Sequence, residues 1–179
     1  MKVLVVDESA ERAELLRDGL ARAGYHVAAS LTSALAMLRA IDELRPDIIV
    51  IDTESPSRDV LEHLVVLSQH TPRPVVMFAT DGAPETIRRA VRAGVSAYIV
   101  DGLDPTRVKS IVASAIATFE EFQRLRQQLA ERKHVDRAKA ILMKKHGLDE
   151  ETAYAMLRKH AMERNLRIGE VAQRVIDGA

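Results

Sequence analysis

The chain has 179 residues, 47% of them apolar, with 26 basic and 26 acidic side chains and no cysteine. That length allows one large domain or two small ones, and the missing cysteines exclude disulfides, a thiol nucleophile and cysteine metal sites. No apolar run approaches the ~20 residues of a membrane span, and the first residues lack a signal-peptide pattern, so a soluble cytoplasmic protein is expected. The zero net charge is uneven: residues 1–122 hold 13 Lys and Arg against 18 Asp and Glu, whereas residues 123–179 hold 13 against 8. Opposite balances point to different partners, and the basic segment is the candidate for nucleic acid.

In chain order, Lys2–Val6 is a short β-branched run ending at Asp7, as expected of a strand buried on both faces. Residues 9–23 have helical periodicity through Leu15, Leu16 and Leu20, with Gly24 as the stop. A strand at Tyr25–Ala29, a helix at Ser33–Arg45 and the strand Asp47–Asp52 follow. Then come a helix near Asp59–Gln69, the strand Pro74–Phe78, the helix Pro84–Ala93 and the strand Ala97–Val100. This alternation predicts an α/β, doubly wound, five-stranded parallel sheet with its ligand site at the carboxyl ends of the strands.

From Pro105 the pattern changes. Neither Pro nor Gly recurs before Gly147, so one long helix is permitted. Val108, Ala115, Phe122 and Leu129 recur every seven residues with Ile111 and Leu125 beside them, a short coiled-coil seam interrupted at Thr118 and Arg132. The seam can pair two chains or pack back on its own sheet; pairing is the preferred reading. Two further helices, about 149–163 and 168–177 with a turn near Asn165, complete a three-helix bundle. The expected divisions are 1–104, 105–132 and 133–179.

Three acids fall at strand ends: Asp7 and Glu8 after the first strand and Asp52 after the third. The first and third strands of such a sheet are neighbours, so the carboxylates should converge on a site suited to Mg²⁺, with Asp52 as a possible phosphoryl acceptor. No cofactor is required by anything else in the chain. A catalytic cysteine, a glycine-rich phosphate loop and a histidine–nucleophile cluster are all missing, so no enzyme is indicated. His134, His146 and His160 are too scattered for a metal site.

In the basic segment Ala138, Ile141, Leu142 and Met143, then Ala153, Met156, Leu157 and Ala161, then Ile168, Val171, Ala172 and Val175 form three apolar faces. Outside them lie Arg137, Lys139, Lys144, Lys145, Arg158, Lys159, Arg164, Asn165 and Arg167, a set suited to a phosphate backbone and to base edges. Tyr154 is the one aromatic among them and reads as a half-buried core residue.

VLVVDES, DIIVIDTESP, PVVMF and AGVSAYIV resemble the receiver domain of two-component response regulators over about residues 1–115. The resemblance implies an acidic pocket at Asp7, Glu8 and Asp52 and places Tyr98 as the aromatic that moves on activation. Two departures stand out. Where the family has Ser or Thr after the fourth strand this chain has Ala79, with Thr80 one residue later, and where it has Lys before Pro this chain has Asp101-Gly102. Asp101 would repel a phosphoryl group that Lys would neutralise, so phosphorylation of Asp52 is not expected to be the main switch.

AKAILMKKHGL, EETAYAMLRKHAME and NLRIGEVAQRVI resemble the ANTAR domain, a three-helix RNA-binding module of bacterial antitermination regulators, over residues 123–177. That resemblance implies a leader RNA with two small stem-loops, kept from forming a terminator, and a homodimer made by the preceding helix. With the receiver-like part, the chain is similar to nitrate-assimilation antiterminators of the NasT type. This implies an inhibitory, nitrate-sensing protein partner. Three other readings are a phosphorylation-driven regulator below a histidine kinase, a protein-binding adaptor, and a DNA-binding regulator whose helices enter a major groove.

Overall fold

The computed structural model describes residues 1–7, 9–33, 36–100, 104 and 106–178, apart from the side chain of Ala10. Twelve elements follow one another among them: β1 (Lys2–Asp7), α1 (Ala10–Arg22), β2 (His26–Leu31), α2 (Met37–Leu44), β3 (Ile48–Thr53), α3 (Arg58–His70), β4 (Val75–Ala79), α4 (Pro84–Ala93), β5 (Ala97–Val100), α5 (Val108–His146), α6 (Glu150–Glu163) and α7 (Ile168–Asp177). They form two compact units, Met1–Glu120 and Glu121–Ala179.

In the first unit the five strands are parallel in the order β2-β1-β3-β4-β5. Side chains alternate across each strand, so the continuous apolar runs supply two cores. Leu4, Val6, Ile49, Ile51, Val75 and Met77 face α2, α3 and α4 through Met37, Ile41, Leu61, Leu64, Leu67 and Ala90. Val3, Val5, Ile48, Val50, Val76 and Phe78 face α1 and the first turns of α5 through Leu16, Leu20, Val108, Ile111, Val112 and Ala115. Leu15, expected beside Leu16, is instead exposed. Ser9 caps α1 and Ser57 caps α3, each accepting a backbone N–H three residues on. Gly94 ends α4 at φ 107°, and a Cβ there would lie 3.0 Å from Cβ of Ser68, so α3 and α4 approach closely only because this position lacks a side chain.

Val108, Ile111 and Ala115 are therefore core residues of the first unit and cannot belong to a pairing seam. The apolar surface offered by the open side of the sheet claims the first turns of the helix, so this unit reaches Glu120 and does not stop at residue 104. α5 then continues unbroken past Thr118 and Arg132 to His146, because neither residue removes a backbone hydrogen bond.

The second unit takes the rest of α5 with α6 and α7. Val135, Ala138, Leu142, Ala153, Leu157, Ala161, Val171 and Ala172 make its core. Gly147 at φ 65° ends α5, and Asn165 at φ 51° turns the chain between α6 and α7. Asp149 caps α6 by accepting the Thr152 N–H at 2.7 Å. Met143 and Met156, expected inside, lie at the surface, and Leu142 and Leu157 beside them in sequence are the buried residues.

Candidate regulatory pocket and nucleic-acid surface

β1 and β3 are hydrogen-bonded neighbours with Asp7 level with Asp52, so the expected convergence of carboxylates is present. Asp7 is fully buried; its Oδ1 accepts the Ser9 N–H at 2.8 Å, while Oδ2 has no hydrogen-bond partner among the described residues. Burial, then the nearby Asp7, push the Asp52 carboxyl above its ordinary range, and Arg12 and the Thr53 N–H oppose them. Glu8 lies outside the described residues.

Sequence reasoning missed Arg12. Its guanidinium stands 3.6 Å from Asp7 Oδ1 and 4.0 Å from Glu54 Oε1, which brings a permanent cation into the acidic site. A signal was available: Arg12 sits in the first turn of α1, where the helix dipole disfavours a cation that lacks an acidic partner. Asp7 Oδ2 and Asp52 could hold a hard cation such as Mg²⁺, in competition with Arg12. Among the described residues no group of three or more His, Cys, Asp or Glu is placed to bind a metal ion.

Around the pocket, the loops after β3 and β4 are tied together. The N–H groups of Thr80 and Asp81 both donate to the Glu54 carbonyl, at 3.1 and 2.9 Å. The Asp81 carboxylate accepts from Ser55 Oγ, Thr86 Oγ1 and the Ala83 N–H, which together hold it below the ordinary carboxylate range. Ala79 closes β4 fully buried and has no hydroxyl, and the Thr80 side chain is exposed. The Tyr98 hydroxyl donates to the Asp81 carbonyl at 2.7 Å; burial and the Asp81 charge push its pKa up. Asp101 lies outside the described residues. Asp81, the hub of this network, was not foreseen, since an Asp-Gly pair after a strand reads only as a turn.

In the second unit Arg137, Lys144, Lys145, Arg158, Lys159, Arg164, Asn165 and Arg167 are all exposed. Lys139 differs. It is largely covered and bridges Asp136 at 2.8 Å and Glu150 at 2.7 Å, tying α5 to α6, so its charge is spent within the fold. Lys159 has a long pair with Glu163 at 3.9 Å. Among the described residues Arg137, Lys144, Lys145, Arg158, Arg164 and Arg167 form no ion pair. Phe122, Leu125 and Leu129 stay 57%, 51% and 56% exposed, with the Arg126 guanidinium 5.7 Å from the Phe122 ring centre.

Residues 3–113 match the response regulator receiver domain. The chain belongs to that family. Residues 123–176 match the ANTAR domain, so the protein is a response regulator in which an ANTAR domain follows the receiver. Both domains are regulatory and neither is a catalytic family. The transcriptional regulatory protein PdtaR of Mycobacterium tuberculosis is 25% identical across 98% of this chain and 89% of its own length. The aliphatic amidase regulator of Pseudomonas aeruginosa is 31% identical over 64% of this chain and 63% of that protein. The chemotaxis protein CheY4 of Vibrio cholerae shares the receiver fold at a TM-score of 0.56, with 23% identity over 64% of this chain and 97% of that one. Among the described residues of the response regulator, no helix is long and apolar enough to cross a membrane.

Proposed function

We propose that this response regulator is an RNA-binding transcription antiterminator whose ANTAR domain grips a leader RNA of two stem-loops and keeps a terminator from forming. The observation that carries the reading is the set of unpaired, exposed cations on a small helical unit. Arg137, Lys144, Lys145, Arg158, Arg164 and Arg167 hold their charge for something outside the fold, while Lys139 shows what a structural cation looks like here. Phosphate contacts of this kind supply affinity, and loop bases supply specificity. The regulator names of the two bacterial relatives agree with a role in gene control.

Pairing is assigned to Phe122, Leu125 and Leu129, whose spacing of three and four residues makes one apolar stripe on α5. Two paired chains present two ANTAR domains, and linkage makes them bind two loops far more tightly than either binds one. Ala79, Asp101 and Arg12 support control by a protein partner rather than by phosphate: two groups that would stabilise a phosphoryl oxygen are replaced, and a guanidinium already faces the acids. Resemblance to nitrate-assimilation antiterminators makes that partner a nitrate- or nitrite-sensing protein. Mg²⁺ remains a proposed occupant of the Asp7–Asp52 site.

The test is affinity for a double stem-loop RNA against duplex DNA of matched charge. RNA should be preferred by at least tenfold and binding should weaken steeply with salt; equal affinity would sink the RNA reading. Incubation with acetyl phosphate probes the switch. Stoichiometric labelling of Asp52 coupled to a change in RNA binding would favour the phosphorylation-driven regulator. Comparing what co-purifies from nitrate-free and nitrate-fed cells tests the partner.

A further inference from the structure

Tyr154 is half-buried, as expected, but does not belong to the core cluster of the helical unit. It is 45% exposed at the edge of the α6 face that carries Ala153, Leu157 and Ala161, and its hydroxyl has no hydrogen-bond partner among the described residues. Tyr154, Arg158 and Met162 follow one another at four-residue spacing, so they form one stripe along the helix, with Met162 73% exposed at its end. Beside it Glu151, Ala155 and Lys159 form a second stripe. The small Ala155 leaves a shallow hollow of about 650 Å³ along α6, lined also by Glu151, Tyr154, Arg158, Lys159, Met162 and Glu163. Two acids and two cations line it: Glu163 is taken up by Lys159 at 3.9 Å and His160 at 3.6 Å, while Glu151 and Arg158 form no ion pair among the described residues.

An aromatic residue left 45% exposed, beside an unpaired guanidinium one helical turn on, forgoes part of the stability its burial would give. Burying it would gain roughly 25 cal/mol for each Å² removed from water. It is a good arrangement for holding an unpaired base, because every base offers a π-face and the sugar–phosphate beside it offers a negative charge. From residue 123 onward Tyr154 is the only aromatic the chain has to offer. We infer that Tyr154 is a stacking platform for one unstacked loop base of the bound RNA, with Arg158 holding the adjoining phosphate and the Met162 thioether closing the apolar edge. This rests on the RNA-binding reading and adds to it the kind of group the α6 face recognises.

The test uses the full chain and an RNA of two stem-loops selected for binding from a loop-randomised pool, with 2-aminopurine placed in turn at each unpaired position. One position should lose fluorescence on binding to the natural chain and keep it with Tyr154→Ala. Affinity should fall roughly tenfold in Tyr154→Ala. It should fall as far in Tyr154→Leu, which keeps apolar volume without a π-face, and hold in Tyr154→Phe. The salt slope should stay unchanged in all three, since no phosphate contact is removed. Full affinity in Tyr154→Ala, alongside lost affinity in Lys144→Glu/Lys145→Glu, would overturn the platform and leave RNA binding standing. Equal affinity in the Leu and natural chains would reduce Tyr154 to a packing residue and overturn it too. Failure of the pool to yield any binder would instead remove the RNA reading itself. Melting curves matching the natural chain exclude misfolding as the cause, and Tyr154→Phe keeps the test open if Tyr154→Ala unfolds.

Discussion

The receiver and the ANTAR domain spend their charged groups in opposite ways. In the receiver, the charges near the functional edge are buried or tied: Asp7 has no exposure, Arg12 faces it, and Asp81 accepts three hydrogen bonds that join two loops. In the ANTAR domain the basic side chains project from helices and most meet no acid. Their cores differ in the same direction. The receiver has two clusters of large aliphatics on either side of a sheet, whereas four of the eight core residues of the helical unit are alanine. A domain that must keep a pocket in shape invests in packing and internal polar contacts. A domain that must meet a polyanion leaves its charges unspent and tolerates a thin core.

The largest effect should follow from thinning that core further. Leu157→Ala should cost about 2–5 kcal/mol, enough to melt the helical unit while the receiver keeps its own transition in a urea titration followed by circular dichroism. One unchanged cooperative transition would show that the two domains do not differ in this way. Next, Lys144→Glu with Lys145→Glu should lower RNA affinity by more than ~100-fold at fixed salt, since each reverses a phosphate-facing charge, with helical content intact. Unaltered affinity would place the RNA surface elsewhere. Phe122→Asp should weaken pairing and RNA binding together, by roughly tenfold, through lost linkage of the two modules. Sedimentation at matched concentration reads the first and filter binding the second; a loss of RNA binding without a loss of pairing would break the proposed order of events.

The smallest effect belongs to the receiver pocket. Asp52 binds its proton more tightly in the folded chain than in the unfolded one, because burial and Asp7 both disfavour its charge. Its ionised form therefore weighs against folding at neutral pH, and stability on this account falls as pH rises through the raised value. Asp52→Asn should stabilise the receiver at pH 7 by less than about 1 kcal/mol. The gain should vanish as pH drops below the ordinary carboxylate value of about 3.9. A destabilised Asn variant at neutral pH would mean that Arg12 outweighs both acidic effects.

Local pattern was enough to read the strands, the order of elements and the meeting of Asp7 with Asp52, because a parallel sheet of buried strands leaves a continuous apolar run and puts strand ends together. β2 and α2 were less legible. β2 runs His26–Leu31 where Tyr25–Ala29 was expected, since an edge strand is only half buried, and α2 is found at Met37–Leu44 within the expected Ser33–Arg45. The basic set was read correctly as exposed except at Lys139, where Asp136 three residues earlier on the same helix and Glu150 eleven residues later on the next one converge only in the folded unit.

The heptad along α5 shows where sequence stops. Val108, Ala115, Phe122 and Leu129 are equivalent in spacing, and the chain alone determines that all four share one helical face. Tertiary structure decides that the first two are core of the receiver and the last two stay free, because an apolar stripe has no direction of its own and packs on whichever surface lies within reach. Tyr154 and Arg12 belong to the same lesson. The chain determines a helix for each and a residue type able to stack or to pair, and only the placement of neighbouring elements decides that the tyrosine stays outside the core cluster and the arginine faces Asp7.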